Sequence, residues 1–126
     1  MTPHRKLAAW QSARLVARTV LRASRQAWKP YLSALFSQLQ RSSLSIQLNI
    51  AEGYAYGRTR RCRNHMEIAY ASAVETEDLL DLLSDENVLP PSETAEALHQ
   101  CRRCQALLKG LIRRYPPAYP RIHLAT

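Results

Sequence analysis

The feature that most limits what this chain can become is the placement of its helix breakers. Of its 7 prolines, three fall in the final eleven residues and two stand together at Pro90 and Pro91, and only 3 glycines occur in 126 residues. Proline removes a backbone donor and clashes with the preceding turn, so it ends or kinks a helix. Long stretches between these points carry no such interruption. They also contain no run of alternating β-branched residues, so strands have no signal and an all-α fold follows.

The first helix is expected over residues 5–28, ending before Lys29-Pro30 because proline disfavours the α conformation in the residue before it. At about 100° per residue, Trp10, Ala13, Ala17, Val20, Leu21, Ser24 and Trp28 share one face. The second helix is expected over 31–56, with Leu32, Leu35, Phe36, Leu39, Ile46 and Ile50 inward and Gly57 as a left-handed C′ residue. The third, over 59–87, buries Met66, Ala69, Ala73, Leu80 and Leu83 and turns Glu67, Asp78, Asp81 and Asp85 outward. Pro90-Pro91-Ser92 makes the last turn, with Ser92 as N-cap and Glu93 and Glu96 matching the positive helix end. The fourth helix then carries Ala95, Leu98, Cys101, Leu108, Leu111, Ile112 and Tyr115 inward. Short connections favour antiparallel neighbours, so the expectation is one domain: an antiparallel up-down-up-down four-helix bundle over 1–115 with an extended proline-rich tail over 116–126.

Charge is segregated along the chain. The net charge is +8; residues 1–30 carry seven Lys/Arg and no acid, 67–96 carry nine acids and no Lys/Arg, and 97–126 carry six Lys/Arg and no acid. Such a balance suits contact with a polyanion, or subunits meeting acidic face to basic face. Arg14, Arg18, Arg22, Arg25 and Lys29 fall within an arc of about 80° on the first helix, a basic stripe. Arg58, Arg60, Arg61 and Arg63 cluster where the second helix gives way to the third, beside Tyr54 and Tyr56. Arginines interleaved with aromatics suit phosphate contacts and base stacking, the elements of single-strand or RNA-loop recognition. Cations at a helix N-terminus oppose its dipole, which again points to an anionic partner.

Catalytic and metal chemistry find little material. Cys101-x-x-Cys104 and Cys62-x-x-His65 have the spacing of zinc ligands. In a hairpin turning near Leu89, however, Cys101 lies opposite residue 77, roughly 22 Å along the helix from Cys62. The fourth-helix cysteines also continue its apolar spacing, so they are expected as core residues. Glu96-x-x-His99 stands alone, whereas a di-iron bundle needs two such motifs and further glutamates. No G-x-x-x-x-G-K-[ST], H-E-x-x-H or G-x-S-x-G occurs. A non-enzymatic protein without metal or cofactor is expected. An odd number of cysteines, 3, suits reduced thiols. With no apolar signal segment and no apolar run of roughly 18 residues, the expectation is cytoplasmic and off the membrane.

The segment RSSLSIQLNIAEG, residues 41–53, serves more than one environment. On a helical wheel Ile46 and Ile50 join the core face, Arg41, Ser42, Ser45, Asn49 and Glu52 form a second arc, and Leu44, Leu48 and Ala51 form a third away from the core. A helix apolar on two sides is explained by a second burial surface, an oligomer interface. Asn49 and Glu52 need partners if they are buried; Arg41 and Glu52, roughly 16 Å apart along the helix, cannot pair with each other. Their partners are expected on other helices or another subunit.

The same segment, ending at Gly53, resembles the signature of the four-helix-bundle proteins encoded in intervening sequences of large-subunit ribosomal RNA genes. These are related to the accessory variability proteins of diversity-generating retroelements. LAAWQ at 7–11 is similar to that family's N-terminal tryptophan motif, Ile68-Ala69 with Ser72 and Glu75 to its third-helix pattern, and LLKGLIRRY at 107–115 to its fourth helix. The resemblance covers about residues 5–115. It implies a barrel-like homopentamer with a basic surface for nucleic acid and, in the retroelement branch, engagement of a reverse transcriptase. Two readings of function follow: a non-catalytic oligomeric scaffold that binds nucleic acid, RNA first, or a protein-interaction scaffold whose charged faces serve assembly or an acidic partner.

Overall fold

The structure, a computed structural model, describes residues 3–116. Residues 117–126, nearly all of the expected extended tail, lie outside the described residues. Four helices form: α1 Ala8–Ala27, α2 Ser33–Tyr54, α3 Arg60–Asp85 and α4 Pro91–Ile112. α1 packs on α2 and α4, α3 packs on α2 and α4, and α1 and α3 sit on a diagonal with no close backbone approach, sharing only the core between them. This is the four-helix bundle that the breaker pattern called for. Among the described residues, no helix is long and apolar enough to cross a membrane.

The helix ends show where local chemistry overrode the sequence boundaries. Residues Pro3–Lys6 form a 3-10 turn and Leu7 is extended, so Arg5 and Lys6 precede α1 instead of opening it. The Gln11 side chain holds this entry by donating to the Arg5 carbonyl at 3.0 Å. α4 starts at Pro91, with Pro90 and not Ser92 at the N-cap. A proline at the first helical position lacks a donor that would go unpaired anyway, and its φ is preset. α3 opens on Thr59, whose hydroxyl accepts from the Cys62 N–H at 3.1 Å. It closes two residues early on Asn87 in the left-handed region, φ 55. Val88 N–H donates to the Leu83 carbonyl and Asn87 N–H to that of Ser84, so the freed carbonyls are capped in a Schellman turn. Gly57 takes the expected left-handed conformation, φ 64, though α2 has by then passed into a turn.

Buried positions on α1 include Ala9, Ala13, Val16, Val20 and Ala23, a repeat of four and three residues that averages 3.5. That period is the one supercoiled helices use to keep a seam facing their partners. Projection at 100° drifts from it, which places Leu21 inward although it is 43% exposed; Trp28, 50% exposed, lies past the end of α1 in extended backbone. On α4, Ala95 is exposed and Thr94 and Ala97 point inward. Ala51, expected on the outer arc, is half-buried against the core.

The core divides into two apolar clusters. One gathers Trp10, Ile46, Ile50, Met66 and Leu108; the other gathers Val16, Val20, Phe36, Leu80, Leu83 and Leu98. Cys62, Cys101 and Cys104 are free thiols inside them. Burial pushes the Cys101 and Cys104 thiols up to about 12, so they stay neutral, as core residues should. Glu77 accepts from Gln105 at 2.7 Å and from Arg102 at 3.0 Å, which sets residue 77 beside the start of the cysteine pair and fixes the α3–α4 register. Those bonds, Gln105 first, hold its carboxyl below the usual carboxylate range.

Candidate nucleic-acid surface and the polar seam beneath it

The serine-rich segment of α2 finds its partners on α3 of the same chain. Gln38, Ser42, Ser45, Asn49 and Glu52 recur every three or four residues and run down one edge of α2. Gln38 donates to Glu75 at 2.9 Å. Thr76 donates to the Ser42 hydroxyl at 2.8 Å, and Ser42 donates on to the Leu39 carbonyl at 3.2 Å. Ser45 and Ser72 hydroxyls meet at 2.8 Å. The Asn49 amide donates to the Ser45 carbonyl at 2.9 Å and hydroxyl at 3.1 Å, while its oxygen stands 2.9 Å from His65 Nδ1. Because that oxygen can only accept, the ring carries its proton on Nδ1. The Glu52 carboxylate lies 3.8 Å from the same nitrogen.

These bonds answer why small polar groups occupy this stretch. Thr76 and Ser42 are buried, and an unpaired hydroxyl there would cost about 1–3 kcal/mol. Paired across the seam, they fix how α2 meets α3. Gly53 completes the contact: a Cβ on it would lie 2.7 Å from His65 Cβ and 3.2 Å from the Cys62 carbonyl oxygen. Of the α3 pattern, Ser72 and Glu75 are the seam partners and Ala69 is core, while Ile68 is exposed. His65 and Thr76 were not anticipated as partners. The spacing of Gln38 from Ser42 and Ser45 carries the signal for the α2 edge, whereas His65 enters the sequence reading only through a zinc-ligand spacing that helix geometry sets aside.

The seam ends at the basic turn. His65 stacks on Tyr56 with ring centroids 5.6 Å apart and planes 14° from parallel, and the Arg61 guanidinium lies 4.6 Å from the Tyr56 centroid. Tyr56 is therefore engaged within the chain, leaving Tyr54 as the freer ring of the pair. Arg58, Arg60 and Arg61 are exposed. Arg63 is different: its Nε donates to Glu67 at 2.9 Å and its Nη1 to the Tyr115 carbonyl at 3.0 Å. It ties α3 to the end of α4 and is a structural member of the cluster.

Arg14, Arg18, Arg22 and Arg25 are exposed along α1, and Lys29 is exposed just past its end in extended backbone. The ion pairs of Lys or Arg among the described residues are Arg63–Glu67 and Arg102–Glu77, so the α1 stripe and Arg58, Arg60 and Arg61 have no acid at ion-pair distance. Arg14 rests 5.3 Å from the Trp10 ring centroid, a cation–π contact that holds one end of the stripe. Glu67, Glu75, Asp78 and Asp85 are exposed on α3, the helix diagonal to α1. The bundle is thus basic on one corner and acidic on the opposite one. Leu44 and Leu48 stand outward on α2, 39% and 51% exposed, next to an exposed Arg41.

Comparison with known proteins places these features in context. The sequence profile described as 23S rRNA-intervening sequence protein matches residues 5–110, which takes in the α1 stripe, the seam and the basic turn. No curated protein matches the chain significantly. Among solved structures, the chain is similar to a protein of unknown function from the S23 ribosomal protein family of Bacteroides thetaiotaomicron. The two share 22% identity with a TM-score of 0.60, over 81% of this chain and 98% of the other. That likeness speaks to the fold.

Proposed function

Because the chain belongs to the 23S rRNA-intervening sequence protein family, we propose that it is a non-catalytic, cytoplasmic scaffold that binds nucleic acid, RNA in the first place, through a basic surface. The observation that carries this reading is the set of exposed cations on α1 and at the α2–α3 turn with no acid at ion-pair distance, of which only Arg22, beside Glu93 and Glu96, and Lys29, beside Glu86 and Glu93, share a cavity with acids. Cations left in that state raise the local affinity for a polyanion through counterion release. The acids further along α3, from Glu67 to Asp85, repel a phosphate backbone and so confine it to the first turn of that helix and to α1. Triple replacement of Arg58, Arg60 and Arg61 by alanine is expected to weaken binding of a structured RNA roughly fivefold in a mobility-shift assay at moderate salt, consistent with lost phosphate contacts. Arg63 is kept in this test, since losing it would also release Tyr115. Unchanged affinity would remove the turn from the site.

The scaffold is proposed to act as a homo-oligomer, a pentamer by its resemblance to the barrel-like members. An accessory role beside a reverse transcriptase is the retroelement branch of the same proposal. Leu44 and Leu48 support assembly, being large apolar side chains one turn apart on an outward face. Leu48→Asp is expected to give a folded species of lower mass in size-exclusion chromatography with light scattering, because a charge buried at an interface is strongly disfavoured. A fully assembled Leu48→Asp protein would sink the interface.

The diagonal placement of acidic α3 and basic α1 favours a second reading, a protein-interaction scaffold. A head-to-tail ring can set one subunit's α3 against the next subunit's α1, using the charge for assembly. Purified protein free of nucleic acid, with no shift of RNA at low salt and an assembly that dissociates at high salt, would favour that reading.

A further inference from the structure

At the end of the bundle, beside the basic turn, α1, α2 and α4 leave a cavity of about 390 Å³ lined by Leu7, Tyr54, Arg58, Leu111, Arg114 and Tyr115, with Gly57 at its rim. Its size falls within the range of small-molecule sites, about 300–1,000 Å³. Its lining divides by chemistry. Arg58 and Arg114 bring two cations and no acid lines the cavity. Leu7 and Leu111, both partly buried, make an apolar floor packed on the core. Tyr54 and Tyr115 bring aromatic rings.

One wall is tied to the bundle by a contact within the chain. The Tyr115 carbonyl accepts from Arg63, and its phenol lies beside the Cys62 thiol, burial pushing the phenol up to about 12. It stays neutral and adds no negative charge beside an anionic guest.

We propose that this cavity takes one unstacked nucleotide of a bound RNA strand, its base over Tyr54 and the apolar floor and its phosphate between Arg58 and Arg114. The proposal rests on the nucleic-acid reading above and narrows it to single-stranded or looped RNA. Inorganic phosphate would use the two arginines and leave the rings and leucines idle. A continuous duplex keeps its bases stacked and cannot offer one to a concave site. Arg60 and Arg61 lie just along the chain, exposed, where the strand's neighbouring phosphates would run.

The test compares a short single-stranded oligoribonucleotide with a fully paired RNA duplex of the same length, by fluorescence anisotropy, for the wild-type chain, Tyr54→Leu and Arg114→Ala. Both side chains are exposed, so both variants are expected to fold, which circular dichroism verifies. Tyr54→Leu keeps apolar bulk but removes the ring; it is expected to weaken single-strand binding about tenfold, the scale of one lost stacking contact. Arg114→Ala should lower single-strand affinity several-fold, and both variants should change duplex affinity less than twofold. Equal losses for both RNAs, or none for the single strand, would overturn the cavity while leaving the basic scaffold standing. A wild-type chain that binds neither RNA would overturn both.

Discussion

Replacing Arg14, Arg18, Arg22 and Arg25 together by alanine is expected to weaken RNA binding at least tenfold at moderate salt. It should also flatten the slope of log K against log salt by about 3. Each phosphate neutralised by a cation releases condensed counterions and adds roughly 0.7–0.9 to that slope, so four lost contacts account for the change. The fold should tolerate the substitutions. All four side chains are exposed and unpaired, and alanine is the best helix former. The one local loss is the Arg14 contact with Trp10, about 0.5–1 kcal/mol. Relief of repulsion between stacked arginines offsets part of it. An unchanged slope would show that α1 does not face the RNA.

The same substitution at two helical glycines should have opposite signs. Gly53→Ala is expected to destabilise the protein, by up to about 2 kcal/mol, in urea unfolding. Alanine's helix propensity favours it by about 1 kcal/mol, but overpacking costs typically 1–3 kcal/mol, and here the obstruction is a Cβ and a carbonyl that cannot rotate away. Pushing α3 back would also lengthen the Asn49–His65 bond, the link nearest that glycine. Gly110→Ala on α4 meets nothing within 4 Å and is expected to stabilise by about 0.5–1 kcal/mol. If both variants stabilise, the close approach of α2 to α3 at Gly53 is not what holds the seam.

Much of the bundle could be read from the chain because breakers and apolar spacing are local. Phe36, Leu39, Ile46 and Ile50 on α2, and every core residue expected on α3, are inward. What escaped was set by tertiary geometry. Leu21 depends on the 3.5-residue spacing of the buried positions, which a 100° projection does not contain, and Trp28 on α1 ending at Ala27. Ser92 lost the cap to Pro90 because a preset proline conformation competed with a side-chain bond. Ser42, Ser45 and Asn49 were recognised as needing partners, yet their partners on α3 became identifiable only once the two helices were in register. Arg63 stood among its neighbours as one more basic residue, and only its contacts with Glu67 and Tyr115 separate it from them. The cavity beside the turn joins residues 7, 54 and 114, a proximity that no spacing along the chain encodes.

The central claim is that the exposed, unpaired cations bind RNA, and the salt dependence of wild-type binding tests it most directly. Fluorescence anisotropy with a structured RNA carrying single-stranded loops, titrated from about 50 to 500 mM salt, should give a straight log–log plot. With six or more phosphate contacts its slope should be steeper than about −4. Absence of binding at the lowest salt, or an affinity indifferent to salt, would contradict the account.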